Sequence, residues 1–227
     1  MEETYFNLEI DRNEVYRYLG AGQTAPSSVL GELAEECIGM IRNTARPARY
    51  FRIFPCAGNG ETEVRIGPLT VMSRALVRNL DGCREVCLFG ATLGAGVDRL
   101  LARAQAKGEM SRALALQAAG AAMLEAFCDK TEEEIRRAAA AQSGRSAEEV
   151  FLRPRFSPGY GDFGLEYQRD LFRILELQKR TGMVLTESLM MLPSKSVTAV
   201  TGLADTPCSR GNTCSRCAKT ECAYRKP

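Results

Sequence analysis

The chain contains no histidine. That absence removes the commonest general base and a frequent metal ligand. With it go Ser-His-Asp, Cys-His and HExxH chemistry, so any catalysis must rest on carboxylates, tyrosine, lysine, cysteine or a bound cofactor. Neither sign of charge is in excess: Lys+Arg 30 against Asp+Glu 28 leaves a net charge of +2. Such balance supplies no basic field for nucleic acid and no polybasic patch for a membrane. Long apolar runs are missing too. None approaches the roughly 20 residues that span a bilayer, and the opening "MEETYFNLEIDRNEVYRYLG" has neither the basic start nor the apolar stretch of a signal peptide. The expectation is a cytoplasmic protein whose nine cysteines are reduced thiols or metal ligands rather than disulfides.

What is present can build a core. With 227 residues, 45% of them hydrophobic, the chain can form one domain, or one domain with a small appendage. Apolar spacing predicts helices over 11–19 and 28–44, the second capped by Ser27 or Ser28. "RYFRIF" (49–54) alternates like a strand, and "TEVRIGPLTV" (62–71) reads as strand broken at Gly67-Pro68. A helix at about 72–81 precedes a buried strand, Val86 to Phe89, then a glycine-rich bend and another helix. A long Ala-dense helix follows over 109–142. Beyond it come a strand at 150–155, a helix over 165–181, and strands near 183–187 and 196–202. Helices and strands mix without a βαβα rhythm, so the fold class is α+β, with a mixed or antiparallel sheet and long packed helices.

Four features could carry chemistry. "GATLGAG" (90–96) stands between strand and helix, where phosphate loops stand, yet it matches neither common phosphate-loop spacing; the alternative is close strand-to-helix packing. Glu125 shares a helix face with Ala118, Ala121, Ala122 and Cys128. That small apolar face predicts a buried acid, serving either a core salt bridge or a bound cation. In "RFSPGYGDFGLEYQ" (155–168), Arg155 and Tyr160 flank a Ser-Pro-Gly turn. The arginine fork and the tyrosine hydroxyl could hold a ligand carboxylate, or could simply tie down the turn. Finally, Cys208, Cys214, Cys217 and Cys222 form a C-x5-C-x2-C-x4-C pattern in the tail. Four such thiols suit a tetrahedral zinc site or an iron–sulfur cluster, or they remain unligated. Cys37, Cys56, Cys83, Cys87 and Cys128 are scattered and read as packing.

"RFSPGY" together with "TGMVLTESLMMLPSKSV" (181–197) and "LEAF" (124–127) resembles the activation domain of cobalamin-dependent methionine synthase. The likeness is close over about 109–200. It implies a fold of that kind, binding S-adenosylmethionine, whose methyl group restores a corrinoid cofactor once the inactive cob(II) form has been reduced. The implied ligand residues are Glu125, Arg155, Ser157, Gly159 and Tyr160, with Arg155 on the methionine carboxylate, Tyr160 beside it and Glu125 near the positive groups. Relatives carry Pro-Ala-Cys-Pro after the Gly-Tyr, where this chain has "GDFG", and they continue past the Ser-Val with aromatic residues where this chain has the Cys-rich tail. The resemblance therefore implies a stand-alone form. Residues 1–205 would be the S-adenosylmethionine-binding domain and 206–227 a Cys-rich tail with a zinc or iron–sulfur site. The expected partners are a separate cobalamin-binding methionine synthase or other corrinoid protein, and an electron donor such as flavodoxin. No nucleic acid or membrane partner is expected. A non-catalytic module that senses S-adenosylmethionine, or one that docks through a metal-bound tail, is the competing reading.

Overall fold

The computed structural model describes residues 8–20 and 27–207. The chain divides into two compact units. Of the described residues, one takes 8–20, 27–47 and 93–128, and the other 48–92 and 129–207.

The first unit is helical, with α1 (Arg12–Tyr18), α2 (Ser28–Thr44), α4 (Ala95–Ala106) and the opening part of α5 (Met110–Ser143). Ser27 caps α2 by accepting from the Leu30 N–H at 3.4 Å, satisfying one orphan donor. Along α2, Ala34, Cys37, Ile38 and Ile41 form the buried stripe that helical spacing predicts. The glycine-rich bend resolves here. A Cβ on Gly96 would sit 2.6 Å from the Thr44 carbonyl oxygen, and one on Gly94 2.9 Å from that of Arg46. Gly94 also has φ +80°, a left-handed value that disfavours a side chain. These glycines let the end of α2 approach the start of α4 closely, so the bend serves close packing, between two helices rather than between strand and helix as expected.

The second unit holds the sheet. Its strands are β1 (Ala48–Asn59), β2 (Glu63–Ile66), β3 (Leu69–Met72), β4 (Glu85–Thr92), β5 (Phe151–Leu152) and β8 (Ser196–Ala204), in the order β3-β2-β1-β4-β8-β5. Every ladder is antiparallel. β6 (Val184–Leu185) and β7 (Met191–Leu192) form a separate hairpin. Gly67-Pro68 is the turn between β2 and β3, with Gly67 at φ +53°.

The two sheet faces are covered differently. Leu88 and Val200, a cross-strand pair, join a core with Phe54, Ile66, Leu76, Phe163, Leu171, Leu177 and Met183. The cover comes from α3 (Arg74–Asn79), α6 (Gln168–Ile174) and α7 (Leu177–Thr181). Burying each of the largest of these side chains contributes about 1.5–3 kcal/mol. On the opposite face, Arg49 of β1 ion-pairs with Glu134 of α5, and Cys87 is completely buried. Burial drives the Cys87 thiol well above its ordinary value, and the Glu132 carboxylate on α5 pushes the same way.

One predicted helix is broken. Over 165–181 the chain makes a short 3₁₀ turn, then α6, then α7, with Glu176 left-handed at φ 50° between them. Leu171, Leu175 and Leu177 are all fully buried, and that kink lets both pieces press apolar residues into one core. The strand expected at 150–155 shortens to two residues, continued by a single bridge between Phe156 and Val200.

Candidate functional site

The segment Arg153–Phe156 runs beside β8. The Arg153 N–H donates to the Gly202 carbonyl at 2.8 Å, and Phe156 and Val200 exchange two backbone hydrogen bonds of 2.9 Å. An extended backbone points successive side chains to opposite faces. Phe156 therefore packs against the core with Val200, while Arg155 faces the α5 side. There its Nη1 lies 2.6 Å from Asp129 Oδ1 and 3.3 Å from Glu132 Oε1.

The three groups differ in setting. The side chain of Arg155 is 23% exposed, that of Glu132 22% and that of Asp129 68%. Burial raises the Glu132 carboxyl above its usual value; Arg155 pulls it down, and Asp129 pushes it up. One cation thus stands between two acids, and the more exposed acid can swing into water at little cost.

After Phe156 the chain turns sharply. The Tyr160 N–H donates to the Ser157 carbonyl at 3.2 Å, the Gly159 N–H to the Phe163 carbonyl at 2.7 Å, and the Phe163 N–H to the Tyr160 carbonyl at 3.0 Å. Gly159 takes φ +95° and Gly161 φ +57°, values that favour glycine. Pro158 is buried and Ser157 half-buried, while Tyr160 is 67% exposed. Phe163, fully buried, stacks on Phe156 with ring centroids 6.2 Å apart. Arg155, Ser157, Gly159 and Tyr160 thus stand on one internally bonded loop of the second unit.

Glu125 departs from expectation. It is exposed, although Ala118, Ala122 and Cys128 beside it are buried. The exposed stripe of α5 runs through Leu114, Gln117, Glu125, Asp129 and Glu133, and small residues flanking that stripe say little about burial, because alanine suits a helix surface as well as a core. The buried acid expected here is therefore corrected to a surface acid of the first unit. Its carboxylate adds to burial in raising the Tyr18 hydroxyl above its usual value.

Asp129 and Glu132 were not anticipated as neighbours of Arg155. Their i, i+3 spacing on one helix was the available signal. Cys208, Cys214, Cys217 and Cys222 lie outside the described residues. Among the described residues no group of three or more potential ligands could hold a metal ion, and no helix is long and apolar enough to cross a membrane.

A model of the family described as vitamin B12 dependent methionine synthase, activation domain, matches residues 77–224. The chain belongs to this family. The match takes in the Arg155 loop, α5 and the strands that frame them. Among solved structures, the crystal structure of the MetH reactivation domain bound to AdoHcy shares the fold, with a TM-score of 0.65 and 20% sequence identity. The alignment covers 92% of this chain and 78% of that chain. No curated protein matches the sequence. The α+β activation-domain fold expected from the sequence is the fold observed, and its sheet is antiparallel.

Proposed function

We propose that this chain binds S-adenosylmethionine and supports reductive remethylation of the cobalamin of a separate methionine synthase or related corrinoid protein. The observation that carries the reading is Arg155, a half-buried guanidinium paired with Asp129 and Glu132 and set four residues before the Gly159-Tyr160 turn, in a chain of the activation-domain family. A planar fork in that setting suits a carboxylate. To bind there, the ligand's carboxylate takes over from Asp129, the exposed partner. Ser157 and Gly159 supply the turn that carries Tyr160, whose exposed ring is available to cover the ligand. Glu125 enters the proposal from its place in "LEAF" alone. S-adenosylmethionine supplies an electrophilic methyl group, and the protein supplies binding and orientation, so the lack of histidine is no obstacle.

In this reading residues 1–205 form the ligand-binding domain, and 206–227 a tail in which Cys208, Cys214, Cys217 and Cys222 hold zinc or an iron–sulfur cluster. The protein works in the cytoplasm with a flavodoxin-like electron donor. Calorimetry with S-adenosylmethionine, followed by methyl transfer to a cobalamin-loaded partner under reducing conditions, tests the function. Absence of binding would defeat the proposal; binding without transfer would leave a sensing module. Metal and sulfide analysis of anaerobically purified protein, beside a Cys214→Ser/Cys217→Ser variant, tests the tail.

A further inference from the structure

We propose that Asp162 is a positioning residue for the Arg155–Tyr160 loop, fixing it to the start of α3 so that the loop meets the ligand preformed. This rests on the reading of that loop as the binding site for the amino-acid end of S-adenosylmethionine.

The geometry is specific. Asp162 Oδ1 accepts from Ser73 Oγ at 2.5 Å and from the Ala75 N–H at 3.0 Å, and Oδ2 accepts from the Arg74 N–H at 2.9 Å. Ser73, 2% exposed, is itself the N-cap of α3 and accepts from the Leu76 N–H at 3.0 Å. Asp162 thus joins Ser73 in satisfying donors that the first turn of α3 cannot bond internally. The Ser73 hydroxyl and the Ala75 and Arg74 amides hold the Asp162 carboxyl below its usual range.

A second tie runs parallel to the first. The Met72 N–H donates to Tyr167 Oη at 3.1 Å, and the Tyr167 ring packs on Phe163 with centroids 5.5 Å apart. Segment 72–75 therefore grips the loop from its far end, while Phe156 anchors the near end on β8. Between the two anchors, Gly161 lies so close to Ala75 that a Cβ there would sit 3.2 Å from the alanine methyl. Gly161 thus leaves no room for a side chain against α3, and Tyr160, itself exposed, sits between anchored neighbours. A loop ordered in advance loses less entropy on binding.

The test uses Asp162→Ala and Asp162→Asn in the full chain. The asparagine retains one oxygen for Ser73 and Ala75 but offers an N–H₂ group to Arg74, so it should lie between wild type and alanine. Hydrogen exchange at the Gly159 and Phe163 amides should accelerate in Asp162→Ala while the Phe156 and Val200 amides stay protected. Affinity for S-adenosylmethionine should fall tenfold or more, whereas methylthioadenosine, which lacks the amino-acid end, should bind as before. Unchanged exchange at Gly159 and Phe163 would overturn the inference whatever the ligand result. Faster exchange with unchanged affinity, or a parallel loss of both ligands, would also overturn it. Wild-type protein that binds neither ligand would sink the functional proposal instead, leaving the exchange measurement to judge Asp162.

Discussion

Arg155→Ala separates the fold's use of this arginine from the ligand's. Without ligand, the guanidinium compensates Asp129 and Glu132 at 2.6 and 3.3 Å. Asp129 is largely solvated, so losing that pair costs about 0–1 kcal/mol. Glu132 is mostly buried and contributes about 1 kcal/mol, giving a total expected loss of about 1–2 kcal/mol at pH 7. The pH dependence carries a sign. Burial already raises the folded-state value of Glu132, so the stability linked to its neutral form is complete below the unfolded value and lost as pH rises through the folded one. Removing Arg155 takes away the group that pulls the value down, and the loss moves to higher pH and deepens. The variant's deficit should therefore be largest near neutrality and shrink as pH falls toward the usual glutamate range, which urea unfolding at several pH values would read. Binding should suffer more. Truncating one side of a hydrogen-bonded charge pair costs about 2–4 kcal/mol, or about 30- to 700-fold in Kd, and Arg155→Lys should restore little because an ammonium cannot present two parallel donors. A folded Arg155→Ala protein with undiminished affinity for S-adenosylmethionine would refute the carboxylate assignment. A deficit that grows on acidification would refute the account of Glu132.

Three further outcomes are expected. Gly96→Ala should destabilise by about 1–3 kcal/mol through overpacking against the Thr44 carbonyl, despite alanine's better helix propensity; a raised melting temperature would contradict the close-approach reading. Phe163→Ala should cost about 3–5 kcal/mol in denaturant unfolding, because the ring is fully buried and stacked. Glu125→Gln, on an exposed stripe, should leave stability within about 0.5 kcal/mol and lower affinity for S-adenosylmethionine; unchanged affinity would remove Glu125 from the proposed site.

The local sequence determined the elements whose causes are local. Ser27 caps α2, alanine density marks the long α5, and glycine with proline turns the chain between β2 and β3. The Arg-x-x-x-Gly-Tyr loop was also legible, since Pro158 and Gly159 declare its turn and the motif string declares its family. Tertiary structure decided what depends on partners distant in sequence. It broke the segment 165–181 at Glu176, because one straight helix could not seat Leu171, Leu175 and Leu177 in the same core. It put Glu125 on the surface, because the exposed stripe of α5 is set by what covers the helix rather than by small neighbours. It brought Asp129 and Glu132 to Arg155, and Asp162 to Ser73, pairs whose members are separated by 23 to 89 residues. Helix period and turn chemistry are written in adjacent residues. Which carboxylate meets which cation is settled only when β8 and α5 place those residues side by side.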